Sequence, residues 1–219
     1  MFDCWAIIYV CATPALLMSI HQPTVDNYTN RTAAFQAWAL DQAYQAAYAR
    51  TVFINSLGKN RSLQILDVGC GSGRDADYFS NLGIVDRVVA IDPVDEFCKQ
   101  TKLLIGDENV FCTDVLGYKS QKKFDGIYTM ASLFHIKRNN LSLTLEKLYS
   151  LLSENGILLS TFLSGGANIN TQGIDGRWVN KMPLDMQKDY LIKAGFAIEF
   201  KFQVSIYNGE WDAIIARRA

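Results

Sequence analysis

The segment Asp67-Val68-Gly69-Cys70-Gly71-Ser72-Gly73 limits what this chain can fold into more than any other stretch. Three glycines in alternate positions follow the short apolar run Gln64 to Val68 and precede a helix-forming stretch, Arg74 to Leu82, stopped by Gly83. Such glycines let the backbone turn sharply and let a ligand approach with no Cβ in the way. The helix that begins there offers free N–H groups. The pattern predicts a strand, a turn and a helix at the ligand edge of an α/β sheet.

The rest of the chain continues the alternation. Arg87 to Ile91 reads as a second strand and Val94 to Leu104 as a helix. Val110-Phe111 is a short third strand and Phe124 to Met130 a fourth. Leu141 to Leu152 is an amphipathic helix and Gly156 to Leu163 a fifth strand. Apolar, β-branched strands between helices imply a parallel sheet covered on both faces. The tail differs: a helix over Pro183 to Ala194 precedes two strands, Phe196 to Ile206 and Trp211 to Arg217, joined by Asn208-Gly209, a strong hairpin signal. The sheet should therefore finish with an antiparallel strand.

Length and charge narrow the partners. The 219 residues suit one domain, read as residues 26–219 behind an N-terminal extension, 1–25. Ala- and Gln-rich residues 26–58, with Phe35, Trp38, Tyr44, Tyr48 and Phe53 spread through them, form a helical cap. A net charge of −1 gives no bulk attraction to nucleic acid or to an anionic membrane. Five cysteines, Cys4, Cys11, Cys70, Cys98 and Cys112, show no C-x-x-C pair, and His21 and His135 stand far apart, so no metal site is expected. The apolar run Cys4 to Ile20 has Asp3 as the one charge ahead of it, against a signal peptide, and is short for a membrane span. Met18 as the true start is the alternative, and a cytoplasmic protein is expected.

Two acids sit where strands should end. Asp92 follows the glycine turn by about twenty residues, where a carboxylate can accept from both hydroxyls of a ribose. Asp92-Pro93 would equally cap the next helix. Replacing Asp92 by Ala should cost ligand affinity at least tenfold and leave the thermal midpoint of the unliganded protein nearly unchanged. Asp114, after the third strand, could accept from an exocyclic adenine amine while the next backbone N–H donates to a ring nitrogen. NAD-binding domains carry G-x-G-x-x-G, which requires Gly or Ala at position 74; Arg74 stands there and weighs against a dinucleotide.

In order and spacing, Ile65 to Gly73, Ala90-Ile91-Asp92, Thr113-Asp114-Val115 and Phe124-Asp125-Gly126-Ile127 resemble the motifs of class I S-adenosylmethionine-dependent methyltransferases. Leu152-Ser153-Glu154-Asn155-Gly156-Ile157-Leu158 is similar to that family's "L-x-P-G-G" segment, with Pro and the first Gly replaced. Gly69 to Asp75, Ala131-Ser132-Leu133-Phe134-His135-Ile136 and Asp175-Gly176-Arg177 resemble small bacterial members carrying "GCGSGRD", "ASLLHV" and "DGR". The resemblance covers roughly residues 26 to 217. It implies a Rossmann-like, doubly wound seven-stranded sheet, mostly parallel with an antiparallel last strand. It also implies S-adenosyl-L-methionine as cofactor and S-adenosyl-L-homocysteine as product. Asp67, Gly69 and Gly71 would line the methionine half, Asp67 acting on the amino group. Asp92 would hold the ribose, Asp114 and Val115 the adenine, and Ala131 would lie beside the sulfonium. Tyr28 matches a tyrosine leading the N-terminal helix over the cofactor, and also reads as a packing aromatic. Arg74 could meet the methionine carboxylate, or stand exposed on its helix.

His135, at the carboxyl edge of the sheet, is a candidate base for an acceptor hydroxyl or amine; a positioning role is the competing reading. In-line displacement from a sulfonium has a good leaving group already, so alignment can be most of the catalysis. Residues 164–182, Gly- and Asn-rich, read as a substrate lid loop, with Arg177 and Trp178 as contacts, or Trp178 as an anchor. Met130-Ala131-Ser132-Leu133 lacks the acid- or Asn-Pro-Pro-aromatic signature of nucleic-acid amino-methyltransferases, and no Pro-Cys nucleophile is present there. Elimination leaves a small-molecule acceptor, methylated on O, N or S. The alternatives are a non-catalytic S-adenosylmethionine-binding module and an NAD-binding oxidoreductase.

Overall fold

In the computed structural model, residues 21–41, 46–58, 62–206 and 209–219 are described. The N-terminal residues with Cys4, Cys11 and Met18, together with Tyr44 and the turn residue Asn208, lie outside them. Five strands are parallel: β1 (Leu63–Val68), β2 (Val85–Asp92), β3 (Val110–Cys112), β4 (Phe124–Thr129) and β5 (Leu152–Leu163). The tail adds β8 (Phe196–Ile206) and β9 (Gly209–Arg218), giving one seven-stranded sheet in the order β3-β2-β1-β4-β5-β9-β8. Strand β9 runs antiparallel to both of its neighbours, so the chain's final strand lies inside the sheet and β8 takes the edge. This is the doubly wound class I methyltransferase sheet that the motifs implied. Its order reverses between β1 and β4, where open α/β sheets leave a crevice at the carboxyl ends of their strands.

Helices α4 (Arg74–Ser80), α5 (Asp95–Ile105), α6 (Arg138–Leu151) and α7 (Leu184–Lys193) cover the sheet faces. The cap resolves into α1 (Gln22–Asn30), α2 (Thr32–Asp41) and α3 (Ala47–Leu57). Helix α3 sits close to β4 because Gly126 has no side chain: a Cβ there would stand 2.6 Å from the Phe53 ring. Phe53 in turn meets Phe79 and Tyr128, all fully buried, at ring-centroid distances of 5.6 and 5.2 Å. Helix α3 is thereby part of the main core, while Val25, Tyr28 and Phe35 of α1 and α2 pack in a second cluster with Val94 and Phe97.

Two expectations are corrected. Strand β5 begins at Leu152 rather than Gly156, because Phe124 pairs with Leu152 before the register shifts. Asn155, at φ +61°, takes the left-handed conformation that the missing glycine of the family segment would supply. Residues 164–182 are not an open loop. They hold an antiparallel ribbon, β6 (Ile169–Gln172) and β7 (Trp178–Lys181), turning through Gly173 and Gly176. All four residues of β6 are exposed, so no burial alternation marked it as a strand.

Candidate active site

A cavity of about 360 Å³ opens at the reversal point of the sheet. The turn after β1 supplies Gly69 to Ser72, the end of β2 supplies Asp92, and the segment after β4 supplies Met130 to Ser132 with Phe134 and His135. Helix α1 contributes Val25 and Tyr28, and the ribbon contributes Arg177 and Val179. Of the residues singled out from sequence, Tyr28, Gly69, Gly71, Arg74, Asp92, Ala131, His135 and Arg177 line it. Asp67, Asp114, Val115 and Trp178 do not, although the first three are buried.

Each glycine of the turn answers to a different neighbour. All three have positive φ. A Cβ on Gly69 would stand 2.4 Å from that of Ser132, and one on Gly73 would meet Thr101 at 2.8 Å. A Cβ on Gly71 would come within 3.2 Å of the Phe35 ring, which also lines the cavity. Gly69 and Gly73 therefore let chain segments pack, while Gly71 keeps the cradle open. Asp92 ties this turn to the next helix: its Oδ2 accepts from the Gly71 N–H at 3.0 Å and its Oδ1 from the Val94 N–H at 2.9 Å. Burial nonetheless pushes its carboxyl up to about 6. Asp67 lies deeper. Burial, then the nearby Asp75 charge, hold its carboxyl well above the usual range; the Ala76 N–H donates to it, and its Oδ2 has no partner among the described residues.

These features fit the cofactor that the resemblance implies. A Cβ at Gly71 would crowd the cavity, and the Asp67 Oδ2 and Ser132 Oγ are buried polar atoms without partners among the described residues. A carboxylate whose ionisation burial opposes suits a cationic amino group, whose charge would favour the ionised form. Asp92 retains lone pairs for a diol after accepting its two backbone N–H groups. Ala131, at φ +50°, is held in this conformation by Thr161, whose Oγ1 accepts the Ala131 N–H at 2.8 Å and donates to the Thr129 carbonyl at 3.1 Å. Asp114 makes a local contact, accepting from the Gly117 N–H at 2.8 Å.

The opposite side is a linked set of polar groups. The Asp175 carboxylate accepts from Arg177 at 2.7 Å, and Arg177 Nη1 donates to the Tyr28 hydroxyl at 3.0 Å. That hydroxyl lies 2.9 Å from His135 Nε2, and His135 Nδ1 lies 2.7 Å from the Trp178 carbonyl. A carbonyl only accepts, so Nδ1 carries the proton and Nε2 accepts from Tyr28. Burial drives the imidazole down to about 3, keeping it neutral. Trp178 points away from the cavity. Its N–H donates to the Thr24 hydroxyl, its indole donates to Asn170, and Lys137 lies over its ring at 5.0 Å, which is the arrangement of an anchor.

Several site residues carried no local signal. Arg50, in α3, reaches Asp75 at 3.3 Å, and Arg74 reaches the same carboxylate at 2.7 Å, joining cap to glycine turn. Arg138 clamps the ribbon through Asn168, the Ile169 and Lys181 carbonyls and Asn180. Phe134 and Trp211, 4.9 Å apart edge to face, form an aromatic wall with Leu163. Only three-dimensional proximity makes these groups a site.

Comparison with known proteins agrees with this geometry. Residues 65–156 match the family described as "Methyltransferase domain". The match spans under half of the chain, and with the fold it supports a class I S-adenosylmethionine-dependent methyltransferase. It is 25% identical over 138 residues to malonyl-[acyl-carrier protein] O-methyltransferase of Bacillus cereus, covering 62% of this chain and 51% of that one. It is 29% identical over 101 residues to (S)-coclaurine N-methyltransferase of Papaver somniferum, covering 43% and 28%. The chain thus spans about half, or about a quarter, of the length of these curated relatives. Among solved structures, a Burkholderia thailandensis 1,6-didemethyltoxoflavin N1-methyltransferase with bound 1,6-didemethyltoxoflavin and S-adenosylhomocysteine superposes with a TM-score of 0.78. It is 20% identical, covering 90% of this chain and 88% of that one. The N-methyltransferase NodS of Bradyrhizobium japonicum, bound to S-adenosylhomocysteine, gives 0.68 at 14% identity, covering 90% and 98%. No described helix is long and apolar enough to cross a membrane.

Proposed function

We propose that this protein transfers a methyl group from S-adenosylmethionine to a small-molecule acceptor. The observation that carries the reading is one cavity at the sheet's reversal point. It is bounded on one side by the Gly69–Gly71 turn and Asp92, and on the other by the Tyr28, His135 and Arg177 set. The cofactor supplies an activated methyl on a positively charged sulfur. The protein's residues bind and align: Gly71 leaves room, Asp92 takes the ribose hydroxyls, Asp67 the amino group, and Ala131 borders the reacting centre. Asp114 and Val115 would frame the adenine end. Helix α1 and the ribbon close over the acceptor and exclude water. The named small-molecule methyltransferases among the relatives and structural neighbours support this acceptor class.

Isothermal titration tests the reading. S-adenosylhomocysteine should bind in the micromolar range and NAD should not. Incubation with S-adenosylmethionine and fractionated metabolite extracts should then release S-adenosylhomocysteine. Binding of NAD in place of S-adenosylhomocysteine overturns the proposal, and cofactor binding with no turnover on any fraction would make the chain a binding module.

A further inference from the structure

Methyl acceptors divide into those whose nucleophile must first lose a proton and those whose lone pair is already free. The ionisable groups around the cavity separate the two cases, on the reading that this site transfers methyl groups. Among the described residues, those lining it are Tyr28, Cys70, Arg74, Asp75, Asp92, His135 and Arg177.

None is placed to take a proton from an acceptor. Asp75 is held between Arg50 and Arg74 at 3.3 and 2.7 Å. Asp92 accepts from two backbone N–H groups on the glycine-turn side. The two arginines are donors without a basic lone pair. The Cys70 thiol is turned to the Gly71 carbonyl and the Thr101 hydroxyl, 3.6 Å from each, and its burial disfavours the thiolate. His135, the one side chain whose ordinary basicity suits the task, has both nitrogens committed: Nδ1–H to the Trp178 carbonyl and Nε2 to Tyr28. The Tyr28 hydroxyl, donating to His135 and accepting from Arg177, is committed in turn. Protonating Nε2 would reverse the Tyr28 link, leaving that hydroxyl to accept from both His135 and Arg177, and would place a charge in a site where burial already holds the ring neutral.

The acceptor wall is apolar and aromatic. Phe134 and Trp211 meet edge to face beside Leu163 and Val179, with the Tyr28 ring and Met130 completing the surface. Such a wall takes a planar ring against aromatic faces.

We propose that the acceptor is a planar aromatic or heteroaromatic molecule whose nucleophilic oxygen or nitrogen carries no proton at neutral pH. In the transfer step the acceptor's lone pair forms the new bond to the methyl carbon. The carbon–sulfur bond breaks with its electron pair left on sulfur, and no proton moves. An anionic acceptor and a cationic sulfur become two neutral products, a charge cancellation that an apolar enclosure favours. His135 is then a positioning residue: it fixes Tyr28 on α1 and Trp178 on the ribbon, and through them the roof over the acceptor.

The test uses 4-nitrophenol, 4-cyanophenol and phenol, a series of falling acidity on one frame, with benzyl alcohol as a ring that does not ionise. At pH 7 methylation should fall in that order and be undetectable for the alcohol. Each phenol's kcat/KM should rise with pH through that phenol's own ionisation. His135→Asn should lower the rate while leaving each inflection where the acceptor puts it. Titration of 4-cyanophenol into protein loaded with S-adenosylhomocysteine should show tighter binding as the phenol ionises. An inflection common to all acceptors, its loss in His135→Asn, or methylation of benzyl alcohol at rates matching the phenols would overturn the proposal. So would neither binding nor methylation of the phenolates by a protein that binds S-adenosylhomocysteine, a result that leaves the methyl-transfer reading standing. Failure to bind S-adenosylhomocysteine removes both.

Discussion

Asp92 holds two jobs that the sequence offered as alternatives. It accepts the Gly71 and Val94 N–H groups, so it organises the turn and the following helix before any ligand arrives. The proposed ribose contact adds to that work. The expectation of a stability-neutral removal therefore gives way: Asp92→Ala leaves two buried N–H groups unpaired, at about 1–3 kcal/mol each. Partly offsetting this, it removes a carboxyl whose ionisation burial opposes. The variant should lower the thermal midpoint of the unliganded protein and weaken S-adenosylhomocysteine binding by at least tenfold. Asp92→Asn, which keeps an acceptor oxygen, should recover part of the stability and less of the affinity. Calorimetry and titration on the same preparations check both, and a stable, tight-binding Asp92→Ala would remove Asp92 from the cofactor site.

The ribbon of β6 and β7 is fastened differently at its two ends. Its turn side is tied to α1 by the Asn27 amide donating to the Asp175 carbonyl and by Trp178 N–H donating to Thr24. Its open end is held by Arg138 at the start of α6. Arg138→Ala should raise hydrogen exchange across residues 168–181 and raise KM for the acceptor, with S-adenosylhomocysteine affinity within a few-fold of normal. Deleting residues 166–174 should go further and abolish turnover at similar cofactor affinity. A parent-rate deletion variant would make the ribbon a connector. The parallel strands, the glycine turn and the final hairpin were legible in the sequence because each depends on local pattern: apolar runs, positive-φ glycines, Asn208-Gly209. The ribbon was not, since its side chains in β6 all face solvent. Arg50 and Arg138 were hidden for another reason. Each is one basic residue in a helix, and only the fold brings Asp75 or Asn180 to it.

At the scale of the whole molecule, two buried groups pull stability in opposite directions with pH. His135 falls from its ordinary 6.5 to about 3, so its contribution is complete above pH 6.5 and is lost as pH drops through the folded value. Asp92 rises from 3.8 to about 6, so its contribution is present below 3.8 and is lost as pH climbs through about 6. Thermal scans of the unliganded protein between pH 4 and 7 should therefore separate two variants. Relative to the parent, His135→Asn should gain ground as pH falls, and Asp92→Asn as pH rises; difference curves of the same slope would contradict both assignments. The position of β9 bears on how this molecule comes to be folded at all. Its pairs with β5, from Leu163 with Trp211 to Ile157 with Arg217, join residues roughly 50 to 60 apart, whereas β8 and β9 pair residues as near in sequence as Ile206 and Gly209. The hairpin can form by itself, but β5 has no neighbour on that side until the hairpin docks. During that interval a long apolar strand offers unpaired N–H and C=O groups to any other chain. The finished sheet has no such edge at β5, so its exposure to aggregation belongs to assembly and not to the native state.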